Sequence, residues 1–152
     1  DDPRIKTYLI LNAGMGAMTM AGASSESLKN LHGPTLYLIG GESDIAYENA
    51  IIDYRRINHV PVVFANHTTA GHTATFSDKY GGSFGQMSLD WLDWQFKDID
   101  NSRIFVKGDL SDYQDWTIES KGFNKTGNAT IMAQDFVKPE LEKIAAGRFS
   151  CE

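Results

Sequence analysis

Short, almost continuously apolar runs punctuate the first half of the chain. KTYLIL (6–11), TLYLI (35–39) and VPVVFA (60–65) combine β-branched, leucine and aromatic residues with few polar ones. Runs of this length and composition are typical of strands that are buried on both faces. We therefore predict three central strands of one sheet.

Two longer segments have the apolar spacing of helices. From residue 46 to about 58 the apolar positions recur at steps of three and four, and 83–97 (SFGQMSLDWLDWQFK) is also amphipathic. The turn GGESD (40–44) precedes the first of them, and Ser43 or Asp44 is the predicted N-cap. The order strand, connection, strand, helix, strand, helix predicts an α/β fold with a parallel sheet covered by helices on both faces.

The other segments give weaker patterns. Residues 12–27 are rich in glycine and methionine and predict an irregular connection. RIFVKG (103–108) predicts a short edge strand, 120–130 a polar loop, and 138–146 a terminal helix with a proline in its first turn. No internal repeat or low-complexity linker interrupts the chain, so we expect residues 1–152 to belong to a single domain.

Composition narrows the classes of partner. The 152 residues are 41% hydrophobic and 22% charged, and the net charge of −6 comes without a basic cluster, which argues against nucleic acid and anionic membranes as partners. No apolar run approaches the roughly 20 residues of a membrane-spanning helix. One cysteine and scattered histidines give no metal-ligand spacing, and neither GGESD nor NAGMG matches a phosphate-binding loop. We expect no metal and no cofactor.

Two features favour a secreted protein. Three N-x-[ST] sequons predict glycosylation at Asn66, Asn124 and Asn128. The single cysteine, Cys151, has no partner within the chain, and an unpaired cysteine in a secreted chain suggests a bond to another polypeptide.

Two titratable residues follow the second and third predicted strands. Asp44 lies five residues beyond TLYLI and His72 seven residues beyond VPVVFA. In open α/β sheets functional groups gather at the carboxyl ends of the strands, so adjacent parallel strands would bring the two together. A carboxylate that accepts a hydrogen bond from one imidazole nitrogen leaves the other nitrogen free to take a proton from a nucleophile. The alternatives without a catalytic role are that Asp44 is a helix N-cap and that His72 is a loop histidine bonded to nearby backbone.

The stretch from GPTLYLIGGESDIAY to WLDWQFK resembles the C-terminal part of secreted α/β-hydrolase-fold proteins. In that family a strand ends in G-G-x-S-D-I-A-Y, a later strand leads to a G-H loop, and a helix containing W-L-x-W-Q follows. DPRIKTYLILNAG is similar to the strand after the family's nucleophile helix. The resemblance covers about 2–121 and leaves 122–152 as a tail. It implies that Asp44 is the acid and His72 the base of a Ser-His-Asp triad.

The family's nucleophile motif, G-x-S-x-G, occurs nowhere in this chain. The resemblance thus predicts that the serine and the oxyanion loop lie on an N-terminal portion or a second polypeptide, which a disulfide through Cys151 would be one way of linking. The predicted function is hydrolysis of a small ester. The alternative is a non-catalytic secreted glycoprotein that uses a hydrolase-like scaffold for binding.

Three further side chains are candidates for the substrate pocket. Met15 and Met18 lie in the loop after the first strand, where flexible apolar side chains suit an irregular cleft, and ordinary core packing is the alternative. Trp116, in an irregular region, is a candidate pocket wall. By contrast, we expect His67 to be an incidental surface residue and Asp53 to lie on the polar face of its helix.

Overall fold

Four strands form one mixed sheet in the computed structural model, which describes residues 2, 4–17, 24–124 and 126–130, with no side-chain placement for 75 and 76. The strands lie side by side in chain order. Neighbours are parallel except for the last strand, which runs antiparallel to the third. The strands are β1 (Tyr8–Leu11), β2 (Thr35–Ile39), β3 (Val62–His67) and β4 (Trp116–Lys121).

Helices connect the strands. The α-helices are α1 (Tyr47–Arg56), α2 (Ala74–Ser77), α3 (Gly82–Phe96) and α4 (Ser102–Phe105), and Ser25–Asn30 and Lys79–Gly81 form 3₁₀ turns. The three predicted strands and the two predicted helices are present, with ends shifted by a few residues. The expected terminal helix at 138–146 lies outside the described residues.

The alternation of side chains along the strands builds a core on each face of the sheet. In β2, Leu36 and Leu38 point to one face, where α3 and α4 contribute Met87, Trp91 and Phe105. Tyr37 and Ile39 of β2 point to the other face, together with residues of α1. Helices therefore cover both faces, as the apolar runs predicted.

The predicted edge strand at RIFVKG is wrong, because residues 102–105 form α4. Ile104 and Phe105 are adjacent in sequence, and both are buried in the same core. In a strand, neighbouring side chains point to opposite faces, so only a helical turn lets both pack inward. Asn101 supports the turn, since its carbonyl oxygen accepts the Ile104 amide at 3.0 Å.

The edge strand is instead β4, where we predicted only irregular and polar chain. In WTIES the apolar and polar residues alternate, and Trp116 is buried while Thr117 and Glu119 are exposed. This period of two is typical of an antiparallel strand with one buried face. β4 makes the sheet mixed rather than wholly parallel.

The opposite edge of the sheet is β1. Within the described part of the chain it pairs only with β2. Tyr8, Leu9 and Ile10 are only half-buried and Leu11 is 42% exposed, whereas every residue of β2 is buried. Apolar side chains thus remain partly open to solvent along this edge.

Candidate functional site

Two glycine-containing turns meet at the carboxyl ends of β2 and β3. The Gly71 amide donates to the carbonyl oxygen of Gly40, and a Cβ added to Gly40 would lie only 2.0 Å from the Gly71 oxygen. Gly71 itself has φ +75, a conformation that residues with a Cβ rarely adopt. This backbone contact brings the turn that carries Asp44 against the turn that carries His72.

Asp44 is a buried carboxylate with a donor for each lone pair. Its side chain is fully buried. Oδ1 accepts the His72 Nδ1 at 2.7 Å and the Ala46 amide at 2.9 Å. Oδ2 accepts the Asn12 Nδ2 at 2.7 Å and the Gly40 amide at 3.0 Å. The carboxylate is therefore fixed in position and in rotation.

These donors decide the ionisation of Asp44. Burial alone raises the pKa of the carboxyl, but the hydrogen bonds from Ala46, Asn12, Gly40 and His72 lower it by more, so the net pKa lies below its ordinary value.

Neither Ser43 nor Asp44 is the N-cap of α1, because that position is Ala46. The prediction that Asp44 is the N-cap is thus wrong, although its carboxylate accepts a hydrogen bond from the Ala46 amide, just before the helix.

His72 is bonded on one side and exposed on the other. An ionised carboxylate can only accept, so the short contact to Asp44 assigns the proton of the neutral ring to Nδ1. Nε2 then carries the lone pair. The side chain is 39% exposed, and in the described part of the chain no serine hydroxyl is bonded to it. The arrangement suits an imidazole that accepts a proton from a group arriving from solvent or from another polypeptide.

A cleft of about 450 Å³ opens beside the end of β3. His67, the last residue of β3, stacks on Phe84 at 5.9 Å and meets the edge of Trp116 at 5.2 Å between ring centroids. His67 is half-buried and lines this cleft, and the expectation that it is incidental stays a prediction. Trp116 lines the cleft from a 4% exposed position at the start of β4, and its role as a wall of a substrate pocket stays a prediction.

Met15 lies in the loop between β1 and β2, half-buried and close to α1. Its amide donates to Asp53 at 2.6 Å, and the Gly16 amide donates to the same carboxylate at 2.8 Å. Asp53 is 1% exposed, so its expected place on a polar helix face is wrong. Met18 and Cys151 lie outside the described residues.

The three sequon asparagines occupy different environments. Asn66 is part of β3, and its Oδ1 accepts the Gly41 amide at 2.9 Å beside the two turns of the site. Asn124 folds a tight turn, where its Oδ1 accepts from Thr126 and from the Asn128 amide. Glycosylation at any of the three remains a prediction.

Sequence reasoning missed the contribution of Asn12 to the site. Asn12 follows β1 directly, so the rule that functional groups gather at the carboxyl ends of strands would have identified it. Among the described residues, no cluster of three or more His, Cys, Asp or Glu side chains is arranged to hold a metal ion, and no helix is long and apolar enough to cross a bilayer.

No model of a known protein family matches this sequence. A search of curated proteins finds no match either.

Proposed function

We propose that this chain supplies the acid and the base of a secreted serine hydrolase of the α/β-hydrolase fold, and that the reaction is hydrolysis of a small ester. The observation that carries the proposal is the contact between the buried Asp44 carboxylate and the Nδ1 of a half-exposed His72, at 2.7 Å. A carboxylate kept ionised by four donors is suited to orient an imidazole and to stabilise its charged form.

In the proposed mechanism, a serine hydroxyl outside this chain attacks the ester carbonyl. His72 Nε2 takes the hydroxyl proton as the new C–O bond forms, and backbone amides outside this chain stabilise the negative oxygen. When the tetrahedral intermediate collapses, Nε2 returns the proton to the leaving alcohol. Water then repeats both steps on the acyl-enzyme, and the free acid and the serine are released.

The partly open edge of β1 supports a second polypeptide as the source of the serine. Parallel sheets are normally covered, and an apolar edge strand left open is prone to pair with another chain. We propose that an N-terminal portion of the same hydrolase adds to this edge, with a disulfide through Cys151 as one means of attachment. Gel filtration of the 152-residue chain expressed alone tests this, because a well-folded soluble monomer would contradict the proposal.

A fluorophosphonate probe tests the hydrolase function in the natural protein with all its associated polypeptides. We expect covalent labelling of a serine, which mass spectrometry locates, and loss of labelling in His72→Gln. His59→Gln is the matched control, since His59 bonds the Leu31 carbonyl oxygen away from the site. Folded natural protein that stays unlabelled would favour the alternative, a non-catalytic binding glycoprotein.

A further inference from the structure

The buried carboxylates of Asp44 and Asp53 both form hydrogen bonds with the loop that leaves β1. Asp44, three residues before α1, holds the start of the loop through the Asn12 side chain. Asp53, in the second turn of α1, holds residues 15 and 16 through their amides at 2.6 and 2.8 Å. The loop that leaves β1 is therefore bracketed by the turn before α1 and by α1 itself.

The grip of α1 on the loop has further contacts. Arg56 Nη1 donates to the Gly16 carbonyl oxygen, and the Tyr37 hydroxyl lies 3.5 Å from the Asp53 carboxylate. Gly14 packs directly on the backbone of α1, since an added Cβ would lie 2.4 Å from the Ala50 nitrogen. Hydrogen bonds that are buried in this way hold a segment more firmly than exposed ones.

Asn12 itself is in a conformation that needs support. Its amide still belongs to the strand ladder, donating to the Leu38 oxygen at 2.8 Å, but its φ is +45, where few residues with a Cβ are found. The chain turns out of β1 at this residue. The turn directs the Nδ2 group to Asp44 Oδ2, on the opposite side of the carboxylate from His72.

We propose that Asn12 is a positioning residue for the Asp44–His72 pair, and that Asp53 and Arg56 keep Asn12 in place by fastening its loop to α1. Asn12 donates to Oδ2, so that the ionised carboxylate is held with Oδ1 facing the imidazole. Asp53 has no contact with the pair and acts only through the loop. The statements on turnover rest on the proposed hydrolase function, whereas those on the geometry of the pair do not.

The test uses the full natural protein and two readouts. The first is the far-downfield NMR resonance of the proton between His72 Nδ1 and Asp44. The second is kcat for 4-nitrophenyl acetate. Asn12→Gly removes the amide donor and tolerates the left-handed backbone. We expect this variant to shift or broaden the resonance and to lower kcat about 10-fold, the effect of one hydrogen bond to a charged group.

Asp53→Asn places an NH₂ group where two amides need an acceptor. We expect it to change the resonance and kcat in the same direction as Asn12→Gly does. Combined with Asn12→Gly it should add nothing further, since both act through one side chain. Asp93→Asn is the control for charge, because Asp93 of α3 pairs with Lys97, the residue just after that helix, and it should leave both readouts unchanged.

The proposal would be overturned if folded Asn12→Gly kept the wild-type resonance and the wild-type kcat. It would also be overturned if Asp53→Asn lowered kcat by the same factor in the Asn12→Gly background as in the wild type. If Asn12→Gly does not fold, Asn12→Asp is the second variant, because it keeps the size and the backbone preference but faces Asp44 with a second carboxylate. A kcat equal to that of the wild type in Asn12→Asp would then overturn the proposal. If the natural protein turns over no ester, the hydrolase function fails, and the resonance alone decides on Asn12.

Discussion

Replacing Asp44 by asparagine tests how the site depends on one buried carboxylate. The substitution keeps the shape of the side chain but exchanges one oxygen for an NH₂ group. Each oxygen accepts two donors, Ala46 N and His72 on Oδ1 and Asn12 and Gly40 N on Oδ2. In either rotamer of the amide, the two contacts made to the oxygen that becomes NH₂ are therefore lost in their present form.

The cost to stability follows from those two lost contacts. A hydrogen bond to a charged group contributes about 1.5–3 kcal/mol, and relief from burying a charge offsets part of the loss. Because the pKa of Asp44 is lowered in spite of burial, the hydrogen bonds outweigh the desolvation. We expect Asp44→Asn to lower the free energy of unfolding by about 2–4 kcal/mol at pH 7, against a total of about 5–15 kcal/mol for a typical domain.

The difference should depend on pH in one direction. A carboxyl whose folded pKa lies below its unfolded value stabilises the fold above the unfolded pKa of about 3.9, and this contribution is lost as pH falls through the folded pKa. Urea unfolding of both proteins between pH 7 and pH 3 measures it. The gap between wild type and variant should be full at pH 7 and should shrink below about pH 4.

The effect on activity comes from the tautomer of His72. An asparagine NH₂ at the position of Oδ1 donates to Nδ1 and moves the ring proton to Nε2, which then cannot accept a proton from the serine of the proposed mechanism. We expect kcat/KM for 4-nitrophenyl acetate to fall by about 10⁴. A folded variant with kcat/KM within about tenfold of wild type, or with unchanged stability at pH 7, would refute this reasoning.

Three other perturbations have defined outcomes. Gly40→Ala should strongly lower the thermal midpoint and the activity, because its Cβ meets the Gly71 oxygen at 2.0 Å, whereas Gly108→Ala, with nothing within 4 Å, should cost only the ~1 kcal/mol of its φ of +69. Burial lowers the pKa of Lys121 to about 8, so the free energy of unfolding should rise as the pH increases from about 8 to 10.5. The rise should be less than about 1 kcal/mol because the group is partly exposed, and Lys121→Met should remove it. Asn66→Ala should cost about 1 kcal/mol in urea unfolding through loss of the bond to Gly41.

Each of these has a contradicting result. Equal thermal midpoints for the two glycine variants would show that the turns at 40 and 71 do not depend on close backbone contact. A pH rise that persists in Lys121→Met would assign it to other groups. Unchanged stability in Asn66→Ala would remove the structural role of its side chain.

The sequence predicted β1, β2 and β3 from their continuous apolar runs, but only β2 and most of β3 are buried, whereas β1 is a half-buried edge strand rather than a central one. It misassigned 103–108, because a three-residue apolar stretch, IFV, is too short for its period to distinguish a strand from a helical turn. It did not predict β4, because the short alternation in WTIES lies between polar segments that are typical of loops.

The meeting of Asp44 and His72 was predictable from the position of both residues after parallel strands. The buried role of Asp53 was not, because its partners are backbone amides of residues 15 and 16, which leave no pattern in side-chain chemistry. Residues 14–16, whose glycine-rich sequence predicted an irregular connection, are held by buried contacts to α1.

The claim that His72 is a general base is tested most directly by the initial rate of 4-nitrophenyl acetate hydrolysis in the natural protein and in its His72→Gln variant, with His59→Gln as control. We predict wild-type rates for the control and a loss of at least about 10³-fold for His72→Gln, with folding intact. A rate for His72→Gln close to that of wild type would contradict the claim.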